Sequence, residues 1–199
     1  MTTKGEDGVR GRLQRAALDL FRERGYDRTT AAEIAARVGV TERTFFRHFA
    51  DKREVLFDGE AILRTALTAS VASAPEGLGP LATLFRAFRS IVPMLEANRP
   101  FSEPWHQVVA GTPALREREL AKTAALADAL AGALKARGVD DLRAVLAAQA
   151  GMAAFVHATV AWLADPRPCL AERLDLCMRE LATLLTGAMP DPNDESWIT

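Results

Sequence analysis

Thr41, Arg43, Thr44, Arg47 and His48 fall in one short run, Thr41-Glu42-Arg43-Thr44-Phe45-Phe46-Arg47-His48-Phe49. Arg43 and Arg47 stand four apart, so on a helix both guanidinium groups share a face. A guanidinium offers paired N–H donors that match the two acceptors on the major-groove edge of guanine. Arg43, Thr44 and Arg47 are therefore candidates for reading base edges. Thr30, Thr41, His48 and Lys52 suit phosphate oxygens, which fix the register of a binder without reading sequence. Phe45 and Phe49 are also four apart and are expected to face a core. Phe46 is left for packing or contact with a thymine methyl.

These side chains need a short helix held against a second one. Ile34-Ala35-Ala36-Arg37-Val38-Gly39-Val40 immediately precedes them, and the order is helix, glycine turn, helix. Docking such a second helix in the major groove is how a helix-turn-helix reads duplex DNA. Upstream, Leu13, Ala16, Ala17, Leu20 and Phe21 recur at helical spacing from about Val9 to Arg24. Thr30 followed by Glu33 is a capping box for the next helix. A fourth helix is expected to run from Asp51 and Lys52 to about Ser73.

The chain has 199 residues, of which 49% are hydrophobic, so a substantial core is possible. Alanine and leucine dominate, which favours helices. The net charge of −1 excludes binding through a general positive field. Residues 1–58 hold 12 basic and 10 acidic side chains and the remainder 13 and 16, so local placement must do the work. No apolar run of membrane-spanning length and no secretory leader is read at this level. The two cysteines, Cys169 and Cys177, do not make a disulfide framework. These features point to a cytoplasmic protein.

The N-terminal residues resemble the TetR (tetracycline-repressor-like) family of bacterial regulators. The resemblance rests on Gly25-Tyr26, Thr29-Thr30, Ile34-Ala35, Gly39-Val40-Thr41, Thr44-Phe45-Phe46-Arg47-His48-Phe49 and Lys52, within about Arg10 to Phe57. It implies that Thr44, Phe46, His48 and Lys52 occupy DNA-contacting positions, with Arg43 and Arg47 beside them. It also implies a homodimer, a palindromic operator and a small-molecule effector. Two residues depart from the pattern. Phe46 stands where members usually carry a tyrosine, whose hydroxyl meets phosphate, and Ala32 stands where some place a base-reading arginine.

The expected architecture is all-α, with about nine helices. It comprises a helix-turn-helix domain over 9–57, a ligand-binding and dimerisation domain over 58–189, and flexible tails at 1–8 and 190–199. After a break at Pro75-Glu76-Gly77-Leu78-Gly79-Pro80, helices are expected over roughly 81–98, 102–110, 113–137, 140–164 and 168–188. The helix over 140–164 carries a stripe of Leu142, Leu146, Gln149, Met152, Ala153, Val156, Val160 and Leu163. A second stripe holds the small residues Ala147, Ala150, Gly151, Ala154 and Ala158. A helix apolar on two faces is buried on two sides. The last two helices are therefore expected to pair with their copies as a four-helix bundle, which is also how the family dimerises. Bulky apolar residues with isolated polar groups nominate an effector pocket of Phe85, Phe88, Met94, Phe101, Trp105, His106, Gln149, Met152, Phe155, His157 and Trp162. They suggest a lipophilic or aromatic ligand.

Other functional classes find less in the chain. His48, His106 and His157 are too far apart for metal-ligand spacing, no nucleophile or phosphate-loop motif occurs, and no cofactor is implied. A thiol-based redox sensor would rely on Cys169, at a helix start, or Cys177. A helical adaptor without DNA binding would use the same surfaces for protein partners alone.

Overall fold

The computed structural model describes residues 4–186. Helices α1 (Lys4–Arg24), α2 (Ala31–Arg37) and α3 (Glu42–His48) form the N-terminal head, followed by a single 3-10 turn at Glu54–Leu56. The body holds α4 (Glu60–Ala72), α5 (Pro80–Ala97), α6 (Arg99–Ala110), α7 (Pro113–Ala136), α8 (Asp141–Ala164) and α9 (Leu170–Thr186). Nine helices and no strand occur among the described residues, as the all-α reading expects. The tail at 190–199 lies outside them.

Two boundaries differ from the sequence pattern. α1 begins at Lys4 and not near Val9. The fourth helix begins at Glu60 and not at Asp51. The second difference has a clear local cause. The Asp51 carboxylate accepts the backbone N–H groups of Arg53 and Glu54 at 2.7 and 3.0 Å, closing a turn. Val55, Leu56 and Phe57, three residues in a row, are then all buried. Consecutive side chains fan around an α-helix, so the chain must bend to bury all three on one side.

Two apolar clusters organise the molecule. The head is built on Leu13, Ala17, Leu20, Phe21, Ile34, Ala35, Phe45, Phe49 and Val55. It also takes in Val109 and Leu115 from far along the chain, with Phe101, Trp105 and Val108 packed around them. Helix α6 is thus a wall of the head as well as part of the body. Trp105 pins this contact, since its indole Nε1 donates to the Leu56 carbonyl at 2.8 Å. The body core joins Leu67, Leu84, Phe88, Leu130, Leu134, Met152, Phe155, Trp162, Leu170 and Leu174.

Helix α8 resolves its two stripes in opposite ways. The small residues face inward: Ala147, Gly151 and Ala158 are buried, which brings α8 close to α5. Of the bulky stripe only Met152 and Leu163 are buried. Leu142, Leu146, Gln149, Ala153, Val156 and Val160 stay exposed in the single chain. By length and composition α8 is apolar enough to cross a membrane, contrary to the sequence reading, but its inner face is packed into the body core.

Gly151 and Gly132 are both inside helices but in different surroundings. A Cβ at 151 would sit 3.2 Å from Leu84 Cδ1 and 3.4 Å from Phe88 Cε2, whereas one at 132 would meet open space. Gly151→Leu is expected to destabilise the chain by about 1–3 kcal/mol through overpacking. Gly132→Ala is expected to stabilise it by about 0.5–1 kcal/mol through helix propensity. Urea unfolding of both variants checks this; a Gly151→Leu protein as stable as wild type would show that α8 does not hold its distance from α5.

Candidate nucleic-acid interface

The interface is assembled by caps and by the burial of two rings. Thr30 accepts the Glu33 backbone N–H at 3.2 Å, and the Glu33 carboxylate accepts the Thr30 N–H at 2.8 Å. This is the capping box expected at the start of α2. The hydrogen bonds to Thr30 hold the Glu33 carboxyl below its ordinary range, against a small opposing effect of burial. Gly39 takes φ +73°, a left-handed conformation that only glycine adopts without strain, and this turns the chain sharply from α2 into α3. Thr41 caps α3 by accepting the Thr44 N–H at 3.3 Å, and the Thr41 and Thr44 hydroxyls lie 3.0 Å apart.

Phe45 is fully buried and Phe49 nearly so, packed on Ile34 and Leu13 in the head core. Since both rings point inward, Arg43, Phe46 and Arg47 point out and are exposed, and Thr44 is half-buried beside them. Phe46 is 50% exposed, large for an aromatic ring, and stands edge-on to Phe45 at 5.4 Å. The neighbouring Arg37 and Arg53 are tied to Glu23 and Asp51. No such pair holds Arg43 or Arg47 among the described residues. The outer face of α3 therefore presents two guanidinium groups, a hydroxyl and a bare ring.

Two residues assigned to phosphate by sequence are placed less openly. The Lys52 ammonium donates to the Tyr26 carbonyl at 2.8 Å and lies 4.0 Å from the Tyr26 ring centroid. Burial lowers its pKa and pushes that of Tyr26 up. Lys52 thus braces the turn after α1, with two N–H donors left over. His48 turns inward: its Nε2 is buried and has no hydrogen-bond partner. It lines a cavity of about 220 Å³ shared with Arg10, Phe49, Glu54, Phe57, Asp58, Glu60 and Lys122.

The cavity marks a junction that sequence reasoning missed. Arg10 of α1 is ion-paired with Asp58. Arg118 and Lys122 of α7 pair with Glu54 and Glu60. Burial pushes the Glu54 carboxyl up, but its hydrogen bond from Arg118 and the charges of Lys122 and Arg118 outweigh that and hold it below the usual range. The only signal in the sequence was the four-residue spacing of Arg118 and Lys122, which places two cations on one helix face. Among the described residues no group of His, Cys, Asp and Glu side chains could hold a metal ion.

The residues nominated for an effector pocket are distributed over separate places. Phe88, Met152, Phe155 and Trp162 come together in the body core, where Phe88 stacks on Phe155 at 4.6 Å, and Phe85 packs partly buried against them. Phe101 and Trp105 instead complete the head core. Met94 is 40% exposed, His106 is half-buried, and Gln149 and His157 lie on the outer face of α8. Helical spacing placed them on faces but could not say which cluster each face meets. As for the cysteines, Cys169 is exposed, and burial pushes the half-buried Cys177 thiol up, away from thiolate chemistry.

Residues 13–58 match the family of bacterial regulatory proteins of the tetR type, and residues 78–186 match the MftR C-terminal domain. This chain belongs to the TetR family. Members are transcriptional regulators that bind DNA through the helix-turn-helix and respond to small ligands. Over 84 residues the chain is 42% identical to the HTH-type transcriptional regulator TcmR of Streptomyces glaucescens. That stretch covers 42% of this chain but only 37% of TcmR, little more than a third of its length. FadR of Thermus thermophilus, a TetR family repressor solved with lauroyl-CoA, is 28% identical, with 92% of this chain and 99% of that one covered and a TM-score of 0.57. SmeT of Stenotrophomonas maltophilia, repressor of the multidrug efflux pump SmeDEF, is 20% identical over 92% and 96% of the chains, with a TM-score of 0.59, and shares the fold.

Thr30→Ala removes the α2 cap and is expected to cost about 1 kcal/mol of head stability. Chemical denaturation followed by the head's aromatic signals measures it. No loss would mean that α2 is held by its apolar face alone.

Proposed function

We propose that the chain acts in the cytoplasm as a homodimeric repressor, reading a near-palindromic operator with the outer face of α3 and leaving it when a lipophilic or aromatic small molecule enters the body. The observation that carries this is the outward placement of Arg43 and Arg47, without an ion-pair partner among the described residues, on a recognition helix whose aromatic face is buried. Arg43, Thr44 and Arg47 read base edges, and Phe46 meets a thymine methyl. Thr30 and Thr41 sit at two exposed helix N-termini whose first backbone N–H groups meet phosphates, the Thr30 hydroxyl itself donating to the Glu33 carboxylate at 3.0 Å. Lys52 adds charge from its remaining donors. His48 serves the interface from behind, at the end of α3.

The dimer face in this reading is the exposed apolar stripe of α8, Leu142, Val145, Leu146, Val156 and Val160, continued by Leu176 and Leu184 of α9. Such a stripe has no reason to face water in a lone chain, and pairing it with its copy makes a four-helix bundle. Two heads on one bundle must then reach major grooves roughly 34–36 Å apart, which makes the operator two-fold symmetric. The effector enters among Phe88, Met152, Phe155 and Trp162, where the body is most apolar. That FadR was solved with lauroyl-CoA, and SmeT with triclosan, agrees with a hydrophobic ligand here.

Selection of bound sequences from a random duplex library tests the reading. A palindrome is the expected product; failure to enrich one would favour an adaptor that binds proteins only. On the selected duplex, Arg43→Ala is expected to relax preference at a single base pair in each half-site, at about 1–3 kcal/mol. An equal loss on every sequence would reassign Arg43 to phosphate.

A further inference from the structure

Residues 54–60 carry the chain from the recognition helix into α4, and they are gripped from both sides. On the head side, Arg10 of α1 pairs with Asp58 and lies 5.1 Å from the Phe49 ring centroid. On the body side, α7 extends two cations one turn apart. Arg118 Nε donates to Glu54 Oε1 at 2.5 Å; Lys122 Nζ lies 2.5 Å from Glu60 Oε2 and 3.4 Å from Glu54 Oε2. The Lys122 side chain is only 17% exposed, and its ammonium lies 5.9 Å from the Phe57 ring centroid. Next to both grips is the cavity that His48 lines with a buried, unpartnered Nε2.

We propose that the Arg118–Glu54–Lys122–Glu60 ion clamp sets the angle at which the head leaves the body, so that Lys122 and Arg118, which belong to α7 and not to the recognition helix, are positioning residues for operator binding. This rests on the reading of α3 as the DNA reader of a dimer. Apolar contact is non-directional and tolerates sliding. Short, charge-assisted hydrogen bonds do not. Lys122, Glu54 and Glu60 are largely covered, with side chains 17–23% exposed, so breaking a pair among them leaves its partner poorly solvated, whereas the more exposed Arg118 contributes less. Leu126 lies one turn beyond Lys122 and is buried in the body core, so a shift of α7 within the body moves Lys122 with it. The adjoining cavity gives the junction room to yield without compressing packed side chains.

A clamp that positions the head predicts a split between two probes. Binding to one half-site needs only the head, whereas binding to the full palindrome needs both heads at one spacing. Lys122→Met keeps the aliphatic stem and removes the charge. Fluorescence anisotropy on the selected palindrome should show roughly tenfold weaker binding, within the usual range of coupling between sites. On an isolated half-site duplex binding should be unchanged, and Lys122→Arg should restore the palindrome. Glu60→Gln breaks the clamp from its other end and serves if Lys122→Met does not fold. Equal loss on both duplexes would reduce the clamp to a fold-stabilising contact and overturn the proposal. So would a palindrome bound as well by the variants as by wild type. A selection that enriches no palindrome is a separate failure, because it removes the DNA-reading function itself before any variant is made.

Discussion

Burial of Phe45 and Phe49 governs what α3 can present. Both rings sit against Ile34, Leu13 and their neighbours, and a helix of seven residues has little freedom once two positions four apart are fixed. Rotating α3 to hide Arg43 and Arg47 would bring Phe45 into water. The capping box at Thr30, the left-handed Gly39 and the Thr41 cap act on the same element, each removing a way for α3 to fray or swing. The interface is thus a consequence of apolar packing: its polar groups are outside because two rings are inside.

The second organising feature is the overlap of the two cores. Val109 and Leu115, together with Phe101 and Trp105, leave the C-terminal half to complete the head. Helix α7 begins in the head's cluster and continues into the body's. A family of ligand-responsive regulators needs such continuity, since events in the body must be felt at α3. Apolar overlap keeps the halves together, and the ion pairs from α7 to residues 54–60 give the junction direction.

Small and large residues divide the tasks along α8. Ala147, Gly151 and Ala158 let the helix approach α5, and the bulky Leu142, Leu146, Val156 and Val160 are left over on the far side. A helix with one face in the core and another apolar face exposed is what a symmetric bundle would use. The same composition makes α8 look like a membrane span when its residues are averaged without regard to face.

Local signals in the chain were enough for the helix count, the capping box at Thr30, the cap at Thr41, the turn at Gly39 and the inward placement of Phe45 and Phe49. These depend on hydrogen bonds and periodicities within a few residues, which linear spacing encodes. The late start of α4, the inward turn of His48, the engagement of Lys52 with Tyr26 and the transfer of Phe101 and Trp105 to the head were not legible. Each depends on a partner many positions away, and periodicity reports the face on which a side chain lies but not what meets that face. The ion clamp is the extreme case: Arg118 and Lys122 announce a basic face by spacing alone, but only the packing of α7 against α4 and the 3-10 turn brings Glu54 and Glu60 to it and shields the charges enough for the contact to matter.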